Sequence, residues 1–572
     1  MNDDEIRNEI RKFALQNAVE HDGQTRDKTI LAKILGSVPE LRQKVNEISP
    51  IIAEVVTEVN KIQLDQQQKE IREKYPELLQ IEEKKPEQNV LPPLKNTEGK
   101  NIITRFPPAP NGYPHIGHAK AAIISEEYAK MYGGKIILRF EDTNPGTERL
   151  EYYAAMKVGM DWLGIKFDDK GHISDQIPLL YEKAEQLINS NDVYVCTCKQ
   201  DDISKDRREM RPCQCRSLEI SDNQERWKKM FDEKGFKEGQ ALLRFRGDMS
   251  SGNTTMRDPA LFRINQKRHA RLEQKYKVWP TYDFSGIILD SLNGVTHAMR
   301  SKEFELRKEL HKTILEKLGL PIPEFIFFGR LDLVGMPVSK TELKPLIENG
   351  KIPWYDDPRL PTLEGLRRRG IRPEAVRKFI LSLGLTKNDT NSPFDSLEAF
   401  NRKIIDSSSI RLNMIKNPKK LLIDNLPNRS IELQNHPTID LGKRVVEVGD
   451  TILISEDDLN DISVNDEIRL MSLGNVKITG TGSKLSGQYA GDELKDNVKK
   501  IQWISDDTAH KIKIIIPKQL FTDDKFNEDS LQTIQGFTEP HYLKLKDDDE
   551  IQFIRFGYCR KESSHQVIFT HK

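Results

Sequence analysis

The stretch that most constrains this 572-residue chain is Arg105-Phe-Pro-Pro-Ala-Pro-Asn-Gly-Tyr-Pro-His-Ile-Gly-His118. It follows a short apolar run, Ile102-Ile103, and leads into a helical pattern from Ala119 to Tyr132. The order is strand, tight proline and glycine loop, helix start. The prolines and Gly112 turn the chain sharply and restrict it at little further entropic cost. His115 and His118 are three apart, so they share one face of the first helical turn. Gly117 between them lets a flat ligand approach the backbone. The first N–H groups of a helix lack intrahelical partners and attract anions, so this corner is expected to seat a triphosphate.

The same logic continues downstream. Gly133-Gly134 stops the helix, and Lys135–Phe140 reads as a second strand that delivers Glu141-Asp142-Thr143-Asn144-Pro145 to its C-terminal end, where open parallel sheets bind ligands. A helix is expected from Gly146 to Leu163. This βαβ unit is the first half of a Rossmann-type nucleotide-binding fold.

Pro-His-Ile-Gly-His matches the HIGH signature of the class I aminoacyl-tRNA synthetases, and Arg-Phe-Glu-Asp-Thr-Asn-Pro resembles the second loop of their glutamyl/glutaminyl group. Trp279–Phe284 and Gly294–Glu303 resemble that group's amino-acid pocket segments. Gly335-Met-Pro-Val-Ser339-Lys340 resembles the KMSKS signature in part: Ser339-Lys340 stand, and Pro337-Val338 replace the first Lys-Met. Asp356-Asp-Pro-Arg-Leu-Pro-Thr362 is similar to the archaeal glutamyl and the glutaminyl enzymes. The resemblance runs from about residue 6 to 565, and its archaeal glutamyl branch fits best.

The resemblance implies six regions. Residues 1–95 are a helical N-terminal extension, and 96–195 the first half of the Rossmann catalytic domain. Residues 196–290 are an inserted acceptor-end-binding domain, and 291–353 the second half with the Ser-Lys signature. Residues 354–418 are a helical stem-contact region. From 419 to 572, alternating runs such as Lys511–Ile516 point to β-barrels, the anticodon-binding region of the glutaminyl type.

The implied activity is glutamate–tRNA ligation, with ATP and Mg²⁺, glutamate and tRNA(Glu) as reactants and tRNA(Gln) as a second acceptor to test. A glutamine–tRNA ligase and a non-catalytic tRNA-binding protein on the same fold are the rivals. By the resemblance, Pro108, Asn111, His115, Gly117, His118 and Lys340 would bind ATP, with His115, His118, Ser339 and Lys340 catalytic. The residue types suit the substrate. Arginine pairs with carboxylates in a bidentate fashion and stays charged when desolvated, so Arg105 and Arg300 are candidates for its carboxyl groups. Glu141 would take the ammonium, and Tyr282 would hydrogen-bond. A buried Arg300 facing a neutral amide would be left partly unpaired, at about 1–3 kcal/mol, which favours glutamate.

Cys196-x-Cys198 and Cys213-x-Cys215 offer four thiolates, the ligand count of a structural Zn²⁺ site; four ordinary reduced thiols is the other reading. Lys205, Arg207, Arg208, Arg211, Arg263, Lys267, Arg268 and Arg271 form basic clusters, either phosphate contacts or a solvated face. Lys plus Arg equals Asp plus Glu, 89 of each, so nucleic acid must be met by local patches. No membrane span is expected, and an acidic N-terminus argues for a cytoplasmic protein whose extension could engage protein partners.

Overall fold

The computed structural model describes residues 3–20, 23–37, 41, 45–75, 91–338, 340–427, 429–460, 462–482 and 484–572. The chain forms two compact units, Met1–Val90 and Leu91–Lys572. In the first, α1 (Asp3–Glu20), α2 (Asp27–Ser37), α3 (Val45–Asn60) and α4 (Leu64–Lys74) pack around Ile10, Ala14, Ile30, Ile52, Val55 and Val59, all buried. Arg7 bonds Glu54 and Glu58, and Arg11 bonds Glu58 and Glu70, so charged side chains tie α1 to α3 and α4.

In the second unit, β1 (Ile103–Phe106), α5 (Ile116–Met131), β2 (Lys135–Phe140), α6 (Leu150–Trp162) and β3 (Asp169–His172) give a parallel sheet in the order β1-β2-β3. The helix expected from Gly146 begins only at Leu150. Gly146 has φ +88°, a left-handed conformation that cannot begin a right-handed helix, and Glu148 caps the turn by accepting from Asn144 N at 2.7 Å.

After α7 (Ile177–Asn189) the chain leaves the parallel sheet. Strands β4 (Val193–Cys196), β5 (Leu242–Phe245), β6 (Ala260–Ile264) and β7 (Val278–Pro280) form a four-stranded antiparallel sheet, with α8 (Gln200–Arg208) and α9 (Ile220–Phe231) between β4 and β5. It returns through α10 (Tyr282–Leu292) to β8 (His297–Ser301), α11 (Lys308–Lys317) and β9 (Glu324–Phe328), with β8 and β9 parallel. Thr296 N donates to Ile103 O at 2.9 Å, which sets β8 beside β1 and rejoins the two halves of the sheet. The shared core includes Ile116, Ile123, Tyr128, Leu138, Phe140 and Met299.

Next come β10 (Leu331–Leu333), α12 (Lys340–Glu348), α13 (Leu363–Arg369), α14 (Pro373–Ser382), β11 (Thr390–Ser392) and α15 (Phe394–Ile405). Two seven-stranded sheets follow. In one, the edge strands are Ile410–Leu412 and Met414–Lys416; in the other, Lys499–Ile501 and Ile504–Ser505. In each sheet a single bent segment supplies both edges, so the sheet curls nearly shut and leaves few unpaired backbone groups. The two bends meet, Gln502 Nε2 donating to Asn413 Oδ1 at 3.0 Å. Among the described residues no helix is long and apolar enough to cross a membrane.

Candidate active site

The signature loop is stitched down at three points. Glu141 N donates to Pro108 O, Ile116 N to Pro361 O and Leu363 N to Pro114 O, at 2.9–3.0 Å. His115 caps α5: its Nδ1 accepts from Gly117 N at 3.1 Å, and its own N–H donates to His118 Nδ1 at 3.3 Å. The first turn of α5 is therefore already satisfied by the chain. The free backbone donors expected from the sequence are absent here, because Pro361 O takes Ile116 N, the His115 ring takes Gly117 N and His115 O takes His118 N.

What replaces them follows from the tautomers. Each Nδ1 is an acceptor, so each proton sits on Nε2. Desolvation pushes His118 down to about 4 and His115 well below the ordinary imidazole range, so both are neutral at pH 7. The pair thus offers two neutral N–H donors, with ring centroids 4.1 Å apart. A Cβ at Gly117 would lie 3.0 Å from His115 Cε1, so glycine also leaves room for the His115 ring.

Arg105 and Arg300 converge on a group that the sequence reading missed. Asp290, wholly buried in α10, accepts from Arg105 Nε at 3.0 Å, from Arg300 Nη2 at 2.8 Å, and from Arg139 Nη2. Burial alone would raise its pKa; the three guanidinium groups outweigh that and hold it well below the usual carboxylate range. Arg105 Nη1 also donates to Met299 O at 2.6 Å. Arg300 Nη1 donates to His311 Nδ1 at 2.7 Å, and His311 Nε2 to Asp283 Oδ1 at 3.0 Å. Arg300 Nε is buried with no hydrogen-bond partner.

Glu141 lies 3.9 Å from Arg139, and burial pushes its pKa up to about 7 against the pull of the nearby guanidiniums. A Cβ at Gly286 would sit 2.9 Å from Glu141 Oε1, so that glycine makes room for the carboxylate against α10. Burial pushes Tyr282 up to about 12, so it keeps its proton.

One cavity of about 520 Å³ unites these groups: Arg105, Pro108, His115, Gly117, His118, Glu141, Tyr282 and Arg300 all line it. Asn111 stands outside it and lines two adjoining cavities. Val338 borders it from the second signature; Ser339 lies outside the described residues, and Lys340 begins α12 with its side chain outside the description. Lys120 was also missed: it is buried on the wall, donating to Gly329 O at 2.6 Å. A signal existed for Arg139 and Asp290. Each is a charge set in a short apolar run, Ile-Ile-Leu-Arg-Phe and Ile-Ile-Leu-Asp, and a buried charge needs partners.

Three of the four cysteines form one close group, with Cys215 beside Cys198 at its edge. Cys196 and Cys213 sulfurs lie 3.7 Å apart, Cys198 and Cys215 3.8 Å, and those of Cys196, Cys198 and Cys213 all fall within 4.8 Å of one another. A tetrahedron with metal–sulfur bonds of about 2.3 Å has edges of about 3.8 Å. Buried Arg244 donates to Cys196 and Cys213, and Arg226 to Cys215, at 3.5–3.7 Å. Cationic donors aimed at sulfur suit thiolates, so the donor set fits a metal.

The basic clusters fare differently. Arg271 turns inward to Ser174 and Asp175, Arg263 donates to Asn144, and Arg268 pairs with Glu273. Arg263 thus ties the antiparallel sheet to the loop after β2, Arg271 reaches the turn after β3, and Arg268 bonds within its own segment.

A parallel sheet interrupted by an antiparallel one, a histidine-capped helix beside an arginine-rich cavity, and two nearly closed sheets at the C-terminal end define a class. The chain belongs to the class I tRNA synthetases of the E and Q group. Residues 101–407 match its catalytic domain, and 409–493 and 500–562 match its two anti-codon binding domains. The particular relatives are glutamate–tRNA ligases. That of Nitrosopumilus maritimus (strain SCM1) is 58% identical over 570 residues, 100% of each chain. That of Cenarchaeum symbiosum (strain A) is 51% identical over 567 residues, 99% of this chain and 100% of the relative. That of Pyrococcus furiosus is 37% identical over 577 residues, 98% and 99% of the two.

Proposed function

We propose that the protein ligates glutamate to the 3′ end of tRNA(Glu), using ATP with Mg²⁺. The observation that carries this reading is the single cavity holding both the histidine pair and the Arg105–Arg300–Glu141 group. The names of the relatives support it.

Two steps follow. The α-carboxylate of glutamate attacks the α-phosphorus of ATP in line, pyrophosphate leaves, and glutamyl-adenylate forms. A ribose hydroxyl at the tRNA terminus then attacks the carbonyl carbon and AMP leaves. The chain's part is positioning and charge stabilisation. The Nε2–H groups of His115 and His118 donate to phosphate oxygens as charge builds, and being neutral they do so without trapping the product ionically. Pro108, Asn111 and Gly117 shape the nucleotide's seat. Lys340, with Ser339 before it, adds a cation from the second signature. Arg105 and Arg300 hold the two substrate carboxylates, ionised Glu141 takes the ammonium, and Tyr282 donates its phenolic proton.

A glutamine–tRNA ligase is disfavoured by Arg300, a buried guanidinium that pairs better with a carboxylate than with a neutral amide. We also assign one structural Zn²⁺ to Cys196, Cys198, Cys213 and Cys215, supported by the sulfur spacing and by Arg244 and Arg226. The reaction belongs in the cytoplasm, and the N-terminal helical unit is a surface for protein partners.

The test is aminoacylation by the purified chain of tRNA(Glu) and tRNA(Gln), each with glutamate and with glutamine. Glutamate charging of tRNA(Glu) supports the proposal, and charging of tRNA(Gln) as well would widen it. Glutamine charging alone would replace it, and no ATP–pyrophosphate exchange with tRNA and glutamate present would leave a binding protein.

A further inference from the structure

Arg105, Arg139 and Arg300 are 1%, 3% and 4% exposed, and the acids within their cluster are Asp290 and Glu141. The charged neighbours beyond them cancel: Arg307 pairs with Asp283, Arg330 with Glu303, Lys120 on the cavity wall is balanced by Asp332, and His311 is held neutral as acceptor from Arg300 and donor to Asp283. With Glu141 ionised, three cations face two anions, and the cluster carries one net positive charge.

Glutamate brings two carboxylates and one ammonium, net minus one. Glutamine brings one of each, net zero. Glutamate therefore closes the cluster to neutrality, whereas glutamine leaves a buried positive charge uncompensated, the costly outcome in a desolvated site. We propose that the choice of acid over amide is set by the net charge of this buried cluster, and that Arg139 is a specificity-determining positioning residue although it does not line the cavity. The proposal rests on the reading that the cavity takes glutamate.

Arg139 is suited to the part. It comes from β2 and donates to Asp290 Oδ1, to Gly286 O at 3.1 Å and to Asn293 Oδ1 at 3.3 Å. It reaches the ligand only through Asp290 and Glu141. Removing its charge brings the sum to zero, which is the balance a glutamine site would need.

The experiment compares Arg139→Gln, Arg139→Lys and the double variant Arg139→Gln with Asp290→Asn in the full chain. Each is assayed for kcat/KM with glutamate and with glutamine in tRNA-dependent ATP–pyrophosphate exchange, with KM for ATP and a melting curve alongside. Arg139→Gln is expected to lower the glutamate-to-glutamine ratio about tenfold or more. Arg139→Lys keeps the charge and loses the fork, so the ratio stays within about threefold of the wild type. The double variant restores the net charge and recovers at least half of the lost discrimination on a logarithmic scale. KM for ATP stays within about twofold throughout.

An unchanged ratio in Arg139→Gln overturns the proposal. So does an equal loss in Arg139→Lys, which would make fork geometry the cause, or a double variant no more selective than the single one. Should Arg139→Gln fail to fold, the lysine variant decides alone: retention supports the charge rule and a tenfold loss refutes it. A wild type inactive with glutamate would instead overturn the function proposed above.

Discussion

Glu141 gives the sharpest prediction, because its environment sets a conflict between stability and binding. Its carboxyl is pushed up to about 7 by burial, from an ordinary 4.5. To hold a substrate ammonium it must be ionised. At pH 8 about nine-tenths of the free protein has it ionised, and at pH 6 about one-tenth. KM for glutamate should therefore rise about eightfold to tenfold from pH 8 to pH 6. KM for ATP should stay flat across that range, since His118 titrates near 4 and His115 well below its ordinary range. Stability moves the other way from a paired carboxylate. The folded chain binds the proton more tightly than the unfolded one, so Glu141 costs nothing below pH 4.5 and its cost grows as pH rises to 7. Two and a half pKa units correspond to about 3 kcal/mol at pH 8, an upper figure. Glu141→Gln should thus lose glutamate-dependent exchange, yet melt at or above the wild-type temperature at pH 8 and close to it at pH 5. Glutamate titration by calorimetry and melting curves at both pH values make the check. A KM for glutamate that stays level from pH 6 to 8, or a variant equally destabilised at pH 5 and pH 8, would refute this reasoning and make Glu141 a structural ion-pair partner of Arg139.

Three further outcomes are expected. His118→Ala removes an Nε2–H donor and the cap on His115 N, so ATP–pyrophosphate exchange should fall about 10²-fold or more while tRNA affinity, read by filter binding, barely changes. Leu520→Ala empties a site in the cluster of Leu343, Ile352 and Leu360 that seats α12; melting should show a loss of about 2–5 kcal/mol, and exchange should weaken because Leu520 N also holds Gly335 O ahead of Lys340. Cys213→Ser should reduce bound zinc from one per chain, read by metal analysis, and chelation of the wild type should lower the melting temperature of the antiparallel-sheet region.

Much of the site was legible because its parts are local. Two histidines three apart, a glycine between them and prolines ahead describe a helix start without any knowledge of what packs on it. The Cys-x-Cys pairs are likewise short-range, and their meeting required only that the fourteen-residue span between them double back. The barrels showed through alternating strands, but their closure did not: nothing in Ile410–Lys416 alone says that its two halves will be opposite edges of one sheet. The backbone donors of α5 were misread for a related reason. The occupant of the first of them, Pro361 O, lies 245 residues away in sequence from Ile116.

By itself, then, the sequence determined the histidine-capped corner, the strand that carries Glu141, and the residue types that an acidic amino acid requires. Only the tertiary structure decided that Arg105, Arg139 and Arg300 would share Asp290. Those four side chains come from β1, β2, β8 and α10, brought together when the antiparallel sheet is looped out and β8 settles beside β1. Local pattern reports what a segment can do alone. The charge left over in a buried cluster depends on which distant segments meet, and no local pattern holds that sum.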